Sequence, residues 1–335
     1  MMRIAQRMYH FFQRVLRESK QFPRRTKNFG LKVSLATFWD GLIPPGKNQH
    51  YIKTIEEYVD AYMKPLTNFY STQSVLLPAS QPAPKIVPVW CCWWQGVENL
   101  PELVAMCNQR LEQVLPRDKT ELHMITLDNY KNYVDIPDYI IRKFEHGLMS
   151  MTALSDVLRV MLLRKYGGFW IDSTVLISDN FPIDFISGKF FTQKMYDPDK
   201  WRREACKGRW CGFLMAGPKE HIIFRYLEDA FLQWWKDYDC VIDYVILDYF
   251  LLAAYKTVTC IKEEIDSVPD NNIDIFEMYK VLHLPYSQEL MARLRKNNTL
   301  HKLTYKIDLI RETLDGQQTL YGYLLDAIAK HTRKL

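Results

Sequence analysis

The chain has 335 residues, of which 48% are hydrophobic and 14% aromatic, and its formal net charge is +5. This composition excludes a disordered protein and allows either one large α/β domain with appendages or two smaller domains. The positive charge is concentrated in residues 1–32, a patch that could bind nucleic acid, but no nucleic-acid-binding motif accompanies it and we expect no nucleic-acid partner.

The cysteines and the apolar segments indicate the cellular location of the protein. Seven cysteines include one adjacent pair and no CxxC pair, which favours reduced thiols in the cytosol over a disulfide framework or a structural zinc site. The first 20 residues contain no uninterrupted apolar block of the secretory type. The most apolar segment, CVIDYVILDYFLLAAY, contains Asp243 and Asp248 and is too short between charges to span a bilayer. We therefore expect a cytoplasmic protein.

Residues 1–32 form the first predicted helix. They hold nine basic residues and one acidic residue, and an apolar series recurs among them at helical spacing: Met8, Phe12, Val15 and Leu16. One interpretation is an amphipathic helix that lies on an anionic membrane, which makes the protein peripheral at the cytoplasmic face. The other is a helix that packs on the domain with its basic side in water. The sequence leaves both open.

A second helix is predicted over residues 50–76, where Pro65 should kink or end it. The segment LPASQPAPKIVPV then places four prolines within a short distance, which indicates a linker. We place the start of the main domain near Pro84. The chain is thus predicted to consist of a basic, mainly helical extension over residues 1–83 and a main domain over residues 84–335.

The main domain begins with strands and helices in alternation. The predicted elements are, in order, the strand KIVPVWCCW, the helix NLPELVAMCNQRLEQVL, the strand ELHMITL, the helices IPDYIIRKFEHG and TALSDVLRVMLLRKYGG, and the strand FWIDSTVLI. This alternation is typical of a largely parallel sheet with helices on both faces. Ligands bind such sheets beyond the carboxyl ends of the strands, which is where Asp172 lies.

The later part of the chain is less regular. The segment KGRWCGFLMAGP is predicted as a strand that ends in a turn. Long helices are predicted for HIIFRYLEDAFLQWWKDY and VIDYVILDYFLLAAYKT, and a short strand for LHKLTYK.

The segment SDVLRVMLLRKYGGFWIDSTV carries the candidate chemistry. Asp156 and Arg159 are three residues apart and share a helix face. On an open surface such a pair is worth well under ~1 kcal/mol. The apolar residues beside it indicate the edge of a cleft instead. The turn at Gly167 and Gly168 and the strand after it then bring Asp172 toward the same place.

The same segment resembles the signature of the capsular polysaccharide synthesis proteins, which are relatives of glycosyltransferase family 32 with its SDxxR…YGGxYxDxD core. Other segments resemble further blocks of that group in the same order: KIVPVWCCWWQGVENLPELV, NYKNYVDIPDYI, KGRWCGFLMA, VIDYVILDY, HKLTYK and TLYGYLL. The resemblance covers roughly residues 84–325.

The resemblance implies a GT-A fold, a Rossmann-like nucleotide-binding sheet with an appended acceptor region. It implies that a sugar is transferred from a nucleotide sugar, most often a uridine diphosphate sugar, with retention at the anomeric carbon. Asp156 and Arg159 match the family's contacts to the donor sugar. Asp172 matches the first acid of the DxD motif, which contacts the ribose or sugar and the metal region. Either Trp93 or Trp94 matches the aromatic residue that stacks on the base.

The sequence departs from that pattern at Thr174, where the family has the second acid of DxD and with it the usual ligand of Mn²⁺ or Mg²⁺. A neutral hydroxyl is a weak ligand for these cations. Three alternatives remain: Asp172 takes over the divalent cation, His301 supplies a ligand, or cations of the protein alone neutralise the diphosphate. The candidates for this last role are Lys302, Lys306 and Arg209.

An assisting carboxylate and an acceptor site are the last predicted features. Asp248 and Asp243 are candidates for catalysis, because two acids in so apolar a segment need a reason. Hydrogen bonding to the backbone at a helix start explains them equally well. Trp210 and Phe213 are candidates for lining the acceptor sugar, and core packing explains them nearly as well.

We predict a hexosyltransferase that extends a bacterial capsular or surface polysaccharide or a lipid-linked saccharide. The alternative is a catalytically inactive nucleotide-sugar-binding subunit of a synthesis complex, which the missing second acid suggests. An oxidoreductase is less well supported, because no GxGxxG motif follows the first strand.

Overall fold

The computed structural model describes residues 2–43, 48–73, 84–178, 189–296 and 298–332, and side chains from Tyr9 to Lys330 within these ranges. Most of the predicted linker and the predicted domain boundary after residue 83 lie outside the described residues. The boundary therefore stays a prediction.

The described strands are β1 (Val87–Cys92), β2 (Thr120–Ile125), β3 (Gly168–Ile171), β4 (Val175–Ile177), β5 (Phe191–Thr192), β6 (Leu214–Gly217) and β7 (Leu300–Lys302). The described helices are α1 (Met2–Leu42), α2 (Gln49–Gln73), α3 (Glu102–Val114), α4 (Asp138–Glu145), α5 (Met151–Tyr166), α6 (Ile222–Asp237), α7 (Ile246–Thr257), α8 (Thr259–Ser267), α9 (Glu277–Lys280), α10 (Gln288–Arg295) and α11 (Leu320–Thr332). Short 3₁₀ helices cover Val97–Asn99 and Tyr130–Asn132.

The larger sheet has the strand order β2–β1–β3–β6–β5. β1 pairs in parallel with β2 and β3, whereas β6 runs antiparallel to β3 and β5. The predicted α/β class with a parallel-rich sheet is therefore confirmed. Buried residues of these strands and of α5, α6 and α7 form one hydrophobic cluster. Burial of this apolar surface is the main force that holds the helices on the sheet.

The α5–β3 connection requires glycine at two positions. Gly167 and Gly168 adopt φ values of +70° and +95°, which side chains rarely tolerate. A Cβ atom on Gly168 would also overlap the carbonyl oxygen of Pro88 in β1. The double glycine therefore lets β3 lie directly against β1, which aligns the carboxyl ends of both strands.

The predicted strand FWIDSTVLI is wrong as a single element. The chain turns at its centre, where the backbone N–H of Val175 donates to the carbonyl oxygen of Asp172 at 2.9 Å. β3 stays in the larger sheet, while β4 pairs antiparallel with β7 in a separate two-stranded sheet. The residues of the turn, Asp172 to Thr174, thus lie between two sheets rather than within one.

The predicted first helix extends to residue 42 but contains a break. Gly30 has φ +80° and ψ 172°, which is not helical. The segments on either side pack together, since the rings of Phe22 and Phe38 meet edge to face at 5.8 Å between centroids. Phe29 and Val33 near the break are buried in the main hydrophobic cluster.

Pro65 does not end the second helix, because α2 continues to Gln73. Pro65 and Ala61, whose carbonyl would lose its helical partner, both face water, so the proline leaves no buried acceptor without a partner. The opposite face of α2 is buried in the main cluster through Ile55, Val59 and Met63. Within the described ranges, no helix combines the length and the apolar character needed to span a bilayer.

Candidate functional site

The carboxyl ends of β1 and β3 meet at one edge of the larger sheet. The Ser173 hydroxyl donates to the carbonyl oxygen of Cys92 at 2.8 Å, which joins the residues that leave the two strands. Trp93 follows β1 directly and Asp172 follows β3. The sequence predicted a ligand site at this edge.

Asp172 is held by three side chains. Its Oδ1 accepts from Arg159 Nη2 at 3.2 Å and from Trp170 Nε1 at 2.9 Å, and its Oδ2 accepts from Lys302 Nζ at 2.7 Å. Arg159 also lies 3.1 Å from Asp156 through its Nη1, with its guanidinium over the Trp170 ring. The prediction that Asp156, Arg159 and Asp172 come together is therefore confirmed, since Arg159 contacts both carboxyl groups.

The two carboxyl groups differ in their pKa values. Burial raises the pKa of Asp156 to about 6, against the opposing charge of Arg159. Burial acts in the same direction on Asp172, but Lys302 and Arg159 outweigh it and hold its pKa below the ordinary value. Asp172 is therefore the firmly ionised member of the pair, and 29% of its side chain remains exposed to a ligand.

Lys302 and His301 point to opposite sides of β7, as adjacent strand residues do. Lys302 faces the site and donates to both Asp172 and the Thr174 hydroxyl, each at 2.7 Å. His301 is fully buried and its Nε2 lies 3.3 Å from the Ser178 hydroxyl. Burial lowers the pKa of His301 to about 4. The structure does not bring His301 to the site, which disfavours its predicted role as a metal ligand.

Two cavities adjoin this cluster, with volumes of about 550 and 350 Å³. The residues that line both are Thr152, Arg159, Asp172, Tyr244, Phe276 and Lys302. The charged cluster therefore lies where the two cavities meet, and molecules in either one would reach it.

The larger cavity is lined by both tryptophans that the sequence offered for base stacking. Trp94 is 4% exposed and its indole N–H donates to Ser155 Oγ at 2.7 Å. Trp93 is only half-buried, and its ring lies edge to face with Tyr305. Lys306 also lines this cavity. Trp93 is thus the tryptophan that offers a ring to a ligand.

The smaller cavity contains Asp156, Asp248 and both aromatic residues predicted to line an acceptor site, Trp210 and Phe213. The Trp210 indole donates to Asp248 Oδ1 at 3.0 Å. Asp248 lies in the first turn of α7, where the helix dipole favours a carboxylate. This placement in the lining of the smaller cavity is compatible with the predicted role of Asp248 as a carboxylate that assists the reaction.

Asp243 is not among the residues that line either cavity. Its Oδ2 accepts from the Tyr51 hydroxyl at 2.6 Å, and its Oδ1 accepts from the backbone N–H of Val245 at 3.0 Å. The predicted helix from residue 241 begins only at Ile246, so Asp243 lies in the turn before it. These contacts tie α2 to this turn, which disfavours the predicted catalytic role of Asp243.

Arg209 lies away from the site. Its guanidinium stacks on Tyr196 and Tyr255 and donates to the carbonyl oxygen of Cys206. It lines neither cavity as these are formed by the described residues. Of the three cations predicted for the diphosphate, only Lys302 and Lys306 face a cavity.

Sequence reasoning missed three contributors to the site. Trp170 shares a strand face with Asp172 two residues later, and this spacing could have indicated their contact. Tyr244 and Phe276 line both cavities from irregular segments, for which the sequence has no periodic signal.

The protein is of the α/β class, with two adjoining cavities at the carboxyl ends of its parallel strands. The sequence matches the model of the capsular polysaccharide synthesis protein family over residues 45–324, and the chain belongs to this family. Among solved structures, it is similar to that of the PaToxG glycosyltransferase, with 12% identity, 84% of this chain and 97% of that chain covered, and a TM-score of 0.40. No curated protein matches the chain.

Proposed function

We propose that the protein is a glycosyltransferase that moves a hexose from a nucleotide sugar to a growing capsular or surface polysaccharide or to a lipid-linked saccharide. The observation that carries the proposal is the position of Asp172. It is ionised, held by Arg159 and Lys302, and placed where two cavities meet. A transferase needs such a junction, because donor and acceptor must meet at the bond that breaks.

The larger cavity is assigned to the nucleotide. Trp93 stacks on the base, for which we propose uracil, and Tyr305 supports the ring. Base–aromatic stacking contributes roughly 1–3 kcal/mol per base in other nucleotide-binding sites. Lys302 and Lys306 neutralise the diphosphate from the same cavity. The domain would then be of the GT-A type.

The junction and the smaller cavity are assigned to the two sugars. Asp156 and Arg159 bind hydroxyls of the donor sugar. Asp172 binds the part of the donor that adjoins the nucleotide. Trp210 and Phe213 line the acceptor. Asp248 accepts a hydrogen bond from the acceptor hydroxyl and orients it, and we propose retention at the anomeric carbon.

A donor screen tests the proposal. Nucleoside diphosphate release is measured for uridine and guanosine diphosphate sugars, with and without oligosaccharide acceptors. Release that depends on the acceptor and prefers a uridine diphosphate sugar supports it. Tight binding without release under every condition would instead indicate an inactive nucleotide-sugar-binding subunit. Preference for a guanosine diphosphate sugar would overturn the uridine assignment.

We also propose that α1 lies on the anionic cytoplasmic face of a membrane. Large apolar side chains on both sides of its break are exposed: Tyr9, Phe11, Phe12, Leu16, Leu31, Leu35, Trp39 and Ile43. Of these, Leu31, Leu35 and Trp39 recur every four residues along the helix and so form one stripe, and Ile43 follows directly after its end. Exposed basic residues such as Arg17 and Lys20 accompany them, which suits an anionic lipid surface.

Vesicle sedimentation tests this second proposal. The double variant Phe12→Asp and Trp39→Asp should lose binding to vesicles that contain anionic lipid. The matched control is Phe69→Asp, since Phe69 is 50% exposed on α2. Equal binding by the unmodified protein, the double variant and the control would contradict the proposal. Binding that is insensitive to salt would contradict it as well.

A further inference from the structure

We propose that Lys302 takes the place of a divalent cation, so that its ammonium group, rather than Mn²⁺ or Mg²⁺, neutralises the diphosphate. The inference rests on the proposed glycosyl transfer and concerns the same site. Its starting point is the bridge that Lys302 makes between Asp172 and Thr174.

The ammonium group occupies the position that a metal ion would need. Lys302 Nζ lies 2.7 Å from Asp172 Oδ2 and 2.7 Å from Thr174 Oγ1. These are the two side chains that correspond to the acids of the DxD motif. A cation bound by both oxygens would have to displace the lysine or lie against its positive charge, which is unfavourable in a partly buried site.

The backbone fixes Lys302 in this place. Its Cα pairs with that of Val175 in the antiparallel β4–β7 ladder, and the backbone N–H of Leu303 donates to the Thr174 carbonyl at 2.9 Å. The ammonium group also lies 5.0 Å from the centre of the Phe213 ring. The bridge is thus built into the pairing of two strands and does not depend on a mobile surface side chain.

The residues that remain do not fit Mg²⁺ or Mn²⁺. Asp172 Oδ1 already accepts from Arg159 and Trp170. Thr174 offers a neutral hydroxyl, and His301 faces Ser178 on the other side of β7. Across the part of the chain that the structure describes, no group of three His, Cys, Asp or Glu side chains is arranged to hold a metal ion.

Lys302 is placed to bind a diphosphate while it keeps these contacts. An ammonium group has three N–H donors, and Asp172 and Thr174 use two of them. Lys302 lines both cavities, so the third donor can meet a diphosphate oxygen at their junction. Arg159 and Lys302 carry two positive charges at the junction, where Asp172 is firmly ionised and Asp156, with its pKa raised to about 6, loses its proton near that pH.

In the transfer, the bond between the anomeric carbon and the diphosphate oxygen breaks, and its electron pair stays on that oxygen. The acceptor hydroxyl oxygen forms the new bond to the anomeric carbon, and its proton passes to the departing diphosphate. Lys302 stabilises the negative charge that develops on the leaving oxygen and stays protonated throughout. No metal ion is needed to balance this step.

The first test measures the binding of UDP to the unmodified protein by calorimetry, once with excess EDTA and once with Mn²⁺. We expect the two dissociation constants to agree within about twofold, because Lys302 supplies the cation in both cases. A tenfold or larger gain in affinity with Mn²⁺ would overturn the inference, as would failure of UDP and GDP to bind in either condition.

The second test uses variants of the same site in EDTA. Lys302→Gln should weaken UDP binding at least about tenfold and slow transfer by about 100-fold or more, while Lys302→Arg keeps part of both. Lys262→Gln is the matched control, because Lys262 pairs with Asp266 on the surface and should change neither quantity. Unchanged UDP affinity in folded Lys302→Gln would contradict the inference.

The two proposals fail in different ways. If UDP binds without metal and needs Lys302, but no acceptor receives a sugar, the proposed glycosyltransferase activity is contradicted and the role of Lys302 in binding the diphosphate is supported. If transfer stops in EDTA and resumes with Mn²⁺, the glycosyltransferase activity is confirmed and the proposal that Lys302 replaces the metal ion is contradicted.

Discussion

Arg159 Nη2 lies 3.2 Å from Asp172 Oδ1, which joins helix α5 to the end of strand β3 by a shielded ion pair. The same guanidinium reaches Asp156 through its other terminal nitrogen. One planar group therefore orders two carboxylates at the junction of the two cavities, and a point charge cannot reproduce that geometry.

Arg159→Lys should lower transfer by about 100-fold, because an ammonium group cannot hold Asp156 and Asp172 at once. Steady-state kinetics with a donor from the screen measures the effect. The matched control is Arg164→Lys on the same helix, where Arg164 pairs with Glu228 and Asp229 and lines neither of the described cavities. Equal losses in both variants would indicate that the arginine acts only through stability.

Asp248→Asn and Asp243→Asn should separate catalysis from stability. Asp248 lines the smaller cavity and orients the acceptor hydroxyl, so its amide variant should lose transfer to the acceptor by at least about tenfold with little change in melting temperature. Asp243 accepts from Tyr51 and from the Val245 backbone, so Asp243→Asn should lower the melting temperature and leave turnover of the folded protein unchanged. The reverse pattern would exchange the two roles.

Trp93→Ala should weaken nucleotide binding by at least about tenfold, because the half-buried ring is the one that a base can stack on. Trp94→Phe removes the hydrogen bonds to Ser155 and to the Met151 carbonyl and should cost on the order of 1 kcal/mol of stability instead. Titration with UDP and thermal unfolding distinguish the two variants. A larger loss of affinity in Trp94→Phe would assign the base to Trp94.

The pKa of Asp156 makes stability depend on pH. Burial raises the pKa from 3.8 to about 6, so the folded state keeps a proton that the unfolded state releases earlier. Stability therefore falls as the pH rises from about 4 to 6, by up to about 3 kcal/mol, and Asp156→Asn should remove this fall. Unfolding by urea across this pH range measures it. Parallel pH profiles for both proteins would contradict the raised pKa.

The site was predictable where its residues are close in the sequence. Asp156, Arg159 and Asp172 lie on one helix–turn–strand unit, and the double glycine fixes how that unit folds back. The position of Trp93 and Trp94 beside this unit was predictable, because they follow a strand that pairs with β3. In each case local periodicity and the rule for carboxyl ends of parallel strands decide the position.

Contacts between distant parts of the chain were not predictable in the same way. Lys302 and His301 are adjacent, and only the pairing of β7 with β4 decides that Lys302 meets Asp172 while His301 is buried. Likewise, the sequence made Asp243 and Asp248 equally good candidates for the assisting carboxylate. Because α7 begins at Ile246, Asp243 lies in the turn before the helix, whereas Asp248 lies in its first turn and lines the smaller cavity. Tertiary packing makes these choices, and a single sequence does not contain them in a local pattern.

The central claim is that Asp172 lies at the reacting centre of a glycosyltransferase. Its most direct test is the acceptor-dependent release of nucleoside diphosphate by the unmodified protein and by Asp172→Asn, whose side chain has nearly the same shape. We predict release by the unmodified protein and a loss of about 100-fold or more in a variant that stays folded. Equal rates for the two proteins would contradict the claim.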